Sequence, residues 1–262
     1  MGRKLPNKPL VEAIAELRWE LQQVGPDQFK DPGFPLLVGA LYGLLRNSYS
    51  VAEELPTAQV PDEMLPYVVR YRFRRGKNSW PLVQVGPGIA TLNFTKEYDW
   101  ESFLAAALEF YDKLVEAHQV RSDHVKPKFT SIVLQFINAI PADPAQMDVL
   151  HFVSSKLHTS VTLPRGITES PSIAGGVTGF QLSLAYSLGS PKGIGAIRLS
   201  TGSQNEVPSL LWHLYVQSVE LDVPQERSAF KEWLEQAHTV VESWFFALIE
   251  GELEKQFGGD LG

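Results

Sequence analysis

Polarity alternates residue by residue through positions 10–21, LVEAIAELRWEL. Val11, Ala13, Ala15, Leu17, Trp19 and Leu21 fall on one side, and Glu12, Glu16, Arg18 and Glu20 on the other. A period of two marks a half-buried strand. Ala, Glu and Leu also favour helix, but alternation sustained over this length selects the strand. Gly25, Pro26, Pro32 and Gly33 then punctuate a loop. PLLVGALYGLLRN follows as a short helix, with Pro35 at a tolerated first-turn position.

Residues 48–66 show no clear periodicity and are expected to form a surface excursion. YVVRYRFRR (67–75) predicts a strand, with Val69, Tyr71 and Phe73 on one face and Arg70, Arg72 and Arg74 on the other. Arg75-Gly76-Lys77-Asn78 is a turn. WPLVQV and IATLNFT are short strands around Gly86-Pro87-Gly88. Asp99 is placed to cap a helix from Trp100 to near His118, whose buried stripe is Phe103, Ala107, Phe110, Tyr111 and Leu114.

The second half repeats this order. FTSIVLQFINAI (129–140) is a strand, and Asp143-Pro144 opens a helix that runs to near Leu157. A Gly/Pro-containing loop spans Thr159 to Gly176. Strands follow near 177–188, 193–202 and 209–221. The last helix, from near Gln225 to Phe257, carries Phe230, Trp233, Leu234, Ala237, Val241, Trp244, Phe245, Leu248 and Ile249 at helical spacing. A stripe that wide must be buried against the sheet or another chain.

The predicted fold class is therefore α+β with a mainly antiparallel sheet and two similar halves, 1–122 and 123–262, packed as one rigid unit. HQVRSDHVKPK (118–128) is the only candidate linker, and it is short. Strand, helix, antiparallel strands and helix in tandem is also the plan of TATA-binding-protein-like and helix-grip folds. That likeness is an analogy of fold and carries no function.

Composition narrows the classes further. Among 262 residues, 44% hydrophobic and 20% charged is globular composition with ample material for a core. The 23 basic and 30 acidic residues leave a net charge of -7. The chain thus lacks a global attraction to phosphate, and nucleic-acid binding would need a local basic patch. There is no cysteine, which removes disulfides, thiolate metal sites and Cys nucleophiles together. MGRKLPNKPLVEA has no apolar signal region, and no run approaches the ~18 apolar residues of a membrane span. The expectation is a cytoplasmic protein without a membrane partner.

Several stretches resemble a family of bacterial proteins known as the TIGR04255 family. NKPLVEAIAELRW is similar to its opening strand, and VGPGIATLNFTKEYDWESF to its central hairpin and following Trp. LQFINAI resembles its second-half strand, with Ala139 where the family usually has a basic residue. WLEQAHTVVESWFFALIEGELEKQFG is similar to its terminal helix. The resemblance spans most of the chain and implies little chemistry, because the family has no agreed activity. Its scattered distribution among bacteria implies mobile or defence-associated genes.

No motif of high specificity is present. His151 and His158, on one predicted helix, stand about 10 Å apart, too far to share a metal ion. His118 and His124 flank a loop, and His213 is alone on a strand. His238 lies beside the apolar stripe of the last helix and reads as a hydrogen-bonded packing residue. Glu12, Glu16 and Glu20 share one strand face at steps of about 13 Å, which suits neither two-metal nor glycosidase chemistry. They are expected to compensate Arg70, Arg72 and Arg74 in a solvated, salt-bridged face; the alternative is a docking surface for an anion. VGPGIATLNFT lacks the Walker and GxGxxG patterns and precedes a strand, and GFQLSLAYSLGSP has no nucleophile elbow.

Three functional readings remain. The first is a non-enzymatic binding or assembly protein, a subunit of a larger bacterial system, with a protein partner or self-association preferred over nucleic acid. Gln135, Gln181, Ser183, Arg198, His213, Tyr215 and Gln217 would supply its polar sheet face, with Arg70, Arg72 and Arg74 as a second cluster. The second is a hydrolase or nuclease assembled around His213, Tyr215 and Arg198. The third is a ligand-sensing module with a cavity under the final helix. No cofactor and no metal is called for by any of these residues.

Overall fold

The computed structural model describes residues 5–61, 64–95, 97–120 and 126–259. Its centre is an antiparallel pair between β1 (Leu10–Trp19) and β8 (Phe129–Pro141), in which Ala15 faces Leu134 and Leu17 faces Ile132. On the β1 side the sheet continues through β7 (Ile89–Phe94), β6 (Leu82–Gly86), β5 (Tyr71–Arg74) and β4 (Val51–Glu54). On the β8 side it continues through β11 (Val207–Val219), β10 (Lys192–Gln204) and β9 (Gln181–Gly189). In each direction the first strand of a half lies innermost and its later strands fill in behind it in reverse order. The protein is α+β with an antiparallel sheet.

Local sequence explains most of these elements. In β1 the predicted parity holds from Ala13 to Trp19, where Ala13, Ala15, Leu17 and Trp19 are buried and the intervening positions partly open. At its start Leu10 and not Val11 is buried, where the register with β8 shifts. The β6–β7 turn holds only Pro87 and Gly88 between paired Gly86 and Ile89, and Gly88 adopts φ +76°, a conformation that only glycine takes without cost. Asp99 caps α2 (Trp100–His118) by accepting from the Ser102 N–H at 2.8 Å. That hydrogen bond holds its carboxyl below the usual range.

The helices α1 (Phe34–Leu45), α2 and α5 (Arg227–Ile249) gather on the face that carries this apolar parity. α1 packs on α2, α2 on β7 and on α5, and α5 on β11 and β8. Every residue of the α2 stripe named above is buried, as are Phe230, Trp233, Leu234, Ala237, Val241 and Ile249 of α5. Each of the larger aliphatic and phenylalanine side chains among them contributes roughly 1.5–3 kcal/mol through burial. α2 is also tied to the start of α5: Tyr111 Oη donates to the Gln225 carbonyl at 2.6 Å, and Arg227 Nε donates to Asp112 at 2.8 Å.

Several expectations need correction. The loop after β1 contains a small hairpin, β2 (Gln22–Gly25) with β3 (Gln28–Lys30), held to the main sheet by Asp31. This buried carboxylate accepts from Trp19 Nε1 at 2.8 Å and from the Gly88 N–H. Residues 48–66 are not purely an excursion, since Val51–Glu54 is edge strand β4. The helix assigned from Asp143 begins later, as α3 (Val149–Lys156), because Asp148 accepts from the His151 N–H while Asp143 turns onto Ala145. His158 lies beyond α3, so it and His151 do not share a helix. The last helix is interrupted: α5 stops at Ile249, Gly251 takes φ +92°, and α6 (Glu252–Gln256) follows. A four-residue helix, α4 (Arg165–Thr168), interrupts the long second-half loop.

Candidate functional site

The first candidate surface is the sheet face turned away from the helices. Strand register places Arg198 of β10 opposite His213 of β11, and Tyr215 opposite Gln135 of β8. Arg198 Nη2 donates to Tyr215 Oη at 3.1 Å, and its guanidinium lies 4.9 Å from the Tyr215 ring centre. Burial holds His213 below its ordinary value, and the Arg198 charge adds to this. Gln217 lies further along β11 and donates to Ser131 Oγ at 3.1 Å. Structure therefore brings Arg198, His213 and Tyr215 together, with Gln217 as a neighbour.

Arg70, Arg72 and Arg74 do not join them. β5 and β11 are five strand spacings apart, roughly 24 Å at about 4.8 Å each. Nor is the arginine row a solvated face paired to Glu12, Glu16 and Glu20. Arg70 and Arg74 are 5% and 8% exposed. The carboxylate that compensates Arg72 and Arg74 is Glu53 of β4, which accepts from Arg74 Nε at 3.0 Å and lies 3.5 Å from Arg72 Nη1. Arg72 also donates to Gln84 Oε1. Glu16 pairs instead with Arg18 and Glu20 with Lys128, and Glu12 accepts from Asn93 Nδ2 at 2.8 Å. Of the expected pairings, only the Arg72 charge acting on Glu12 remains among the described residues, as a contribution smaller than its burial and that hydrogen bond. The reason is topological: two strands, β6 and β7, separate β1 from β5. His124 lies outside the described residues, and among the described residues no cluster of three or more His, Asp or Glu could hold a metal ion.

The second candidate lies on the helical face. A cavity of about 120 Å³ opens between α5 and the β8–β11 strands, walled by Leu10, Phe136, Leu214, Val241, Phe245 and Phe246. Into this apolar surface come five polar side chains: Lys8, Tyr98, Asn138, His238 and Glu242. Tyr98 Oη and Asn138 Nδ2 are buried and have no hydrogen-bond partner among the described residues. Leaving such groups unpaired costs about 1–3 kcal/mol each. Lys8 sits at the rim, where its ammonium donates to the Tyr98 carbonyl.

The site is dry enough to penalise charge. Burial lowers His238 to about 4, with Glu101 opposing weakly, so its imidazole is neutral at pH 7. Burial likewise raises the Tyr98 phenol and the Glu242 carboxyl. His238 stacks on the Trp100 ring at 3.8 Å, and Tyr98 meets Phe136 edge-on at 5.4 Å. Neither Tyr98 nor Asn138 stood out as functional in the sequence. Asn138 did carry a signal: it interrupts an apolar parity of Ile132, Leu134, Phe136 and Ile140 on β8.

No family model matches the chain, and no curated protein matches it in sequence.

Proposed function

We propose that this chain is a non-enzymatic binding protein whose ligand occupies the cavity under α5. The observation that carries this reading is the pair of unpartnered polar atoms, Tyr98 Oη and Asn138 Nδ2, in an otherwise apolar cavity. Apolar cavities of about 150 Å³ hold a molecule the size of benzene, so the occupant is a compact apolar molecule. Asn138 Nδ2 is a donor, and the surroundings penalise charge. The occupant therefore carries a neutral acceptor, a carbonyl or hydroxyl, at one end.

The test uses benzamide and toluene, matched in ring and differing in the acceptor. Calorimetric titration should give benzamide at least tenfold tighter binding than toluene, with both lost in a Val241→Trp variant that fills the cavity. Equal binding of both, or binding that survives Val241→Trp, would reject the reading.

The enzyme reading has weaker support, since a general base needs an orienting partner and the charged neighbour that His213 has is the cation Arg198. The mirrored strand order around β1 and β8 supports reading the halves as a tandem repeat of TATA-binding-protein-like plan. The TIGR04255 resemblance and a place in a bacterial defence complex belong to this same proposal, and rest on the motifs quoted above.

A further inference from the structure

The two edges of the sheet are built differently. β4 is four residues long and carries Glu53 and Glu54, the short, charged form that discourages pairing with another chain. β9 is nine residues, Gln181–Gly189, exposed along nearly its whole length and, among the described residues, closed by no further strand. It lacks the usual protections. No acidic or basic residue occurs from Ser170 through Pro191, although charged residues make up 20% of the chain. Leu184 and Tyr186 on it are 40% and 48% exposed.

We propose that β9 is the interface of a two-fold homodimer, pairing antiparallel with β9 of a second copy and extending the sheet across both molecules. Three observations select a second copy as the occupant. Every pairing already made in this sheet is antiparallel, which is the relation a two-fold axis imposes on a self-paired strand. The strand reads Leu182-Ser183-Leu184-Ala185-Tyr186-Ser187-Leu188, close to a palindrome about Ala185. A register centred there sets Leu184 against the partner's Tyr186, Leu182 against the partner's Leu188 and Ser183 against the partner's Ser187, so apolar meets apolar and hydroxyl meets hydroxyl on their own faces. Finally, two copies of net charge -7 repel wherever their acidic surfaces approach, and this uncharged strip is where that penalty is least. Leu184 and Tyr186 share the face on which Tyr186 meets Trp244 at 5.7 Å, so pairing would cover apolar surface on both copies.

Sedimentation equilibrium of the full chain should give a dimer mass. A Leu184→Lys/Tyr186→Lys variant should weaken self-association at least tenfold while retaining the wild-type circular dichroism. The absence of cysteine allows an independent check. Ala185→Cys would place two thiols across the axis at a Cα separation of about 4.5–5.5 Å, within disulfide reach, and should oxidise to a covalent dimer. Gln181→Cys would place them roughly 27 Å apart and should not. If the lysine variant fails to fold, the cysteine pair decides alone. A monomer at every soluble concentration, an open-ended oligomer, or equal crosslinking of the two cysteine variants would overturn the proposal.

Discussion

The imidazole of His238 lies flat on the indole of Trp100, with ring centres 3.8 Å apart and planes inclined by 12°. Trp100 is the first residue of α2, and His238 sits midway along α5, so the stack joins these two long helices. It also forms part of the cavity's surroundings, because His238 lines the cavity while Trp100 packs behind it. The expected hydrogen-bonded packing role is thus replaced by aromatic stacking beside a ligand-sized space.

The burial of His238 should make stability pH-dependent. His238 moves from an ordinary 6.5 to about 4 in the fold, so the unfolded chain binds the extra proton first. Its contribution is fully present above pH 6.5 and is lost as pH falls toward 4, to a limit of about 3 kcal/mol. The raised carboxyls of Glu12 and Glu242 act in the opposite sense. Urea unfolding at pH 7 and pH 4.5 should therefore show a smaller loss for His238→Gln than for wild type; equal losses would contradict the assignment.

Tyr98→Phe should leave the empty protein about 1–3 kcal/mol more stable, because it deletes a buried hydroxyl that has no partner among the described residues. The same change should weaken benzamide binding by about tenfold, the worth of one neutral hydrogen bond. Thermal melts with and without benzamide measure both effects. A Tyr98→Phe variant that is strongly destabilised would mean the hydroxyl is already satisfied.

Glu53→Gln should cost about 2 kcal/mol or more, since it strips the compensating charge from Arg74, whose side chain is only 10% exposed. Glu16→Gln breaks the more exposed pair with Arg18 and should cost about 0.2–1 kcal/mol. Comparison of the two by chemical denaturation tests whether the arginine row is stabilised from β4. Equal small effects would return it to the solvated description.

Asp31→Ala should cost about 2–3 kcal/mol, because the donors Trp19 Nε1 and Gly88 N–H would be left in a buried site. Asp31→Asn keeps an acceptor and should recover part of the loss. Failure of Asn to recover any of it would show that the charge of Asp31, and not its acceptor oxygen, holds the hairpin.

What the sequence alone determined was local. Alternation in LVEAIAELRW, the stripe from Phe103 to Leu114, the cap at Asp99 and the Pro87-Gly88 turn each depend on residues a few positions apart, so composition and spacing suffice to place them. The α+β class followed from their order. Tertiary structure alone decided which strands are neighbours. Glu12 and Arg72 sit on alternating strands of the same half, and nothing in their spacing says that β6 and β7 intervene, or that the acidic edge strand β4 supplies Glu53. The cavity has the same origin: Tyr98, Asn138 and His238 come from a loop, a strand and a helix spread over 140 positions of the sequence. Polar groups are read from sequence as exposed or paired. Only the packing of α5 across β8 and β11 determines that two of them are buried together with no partner among the described residues.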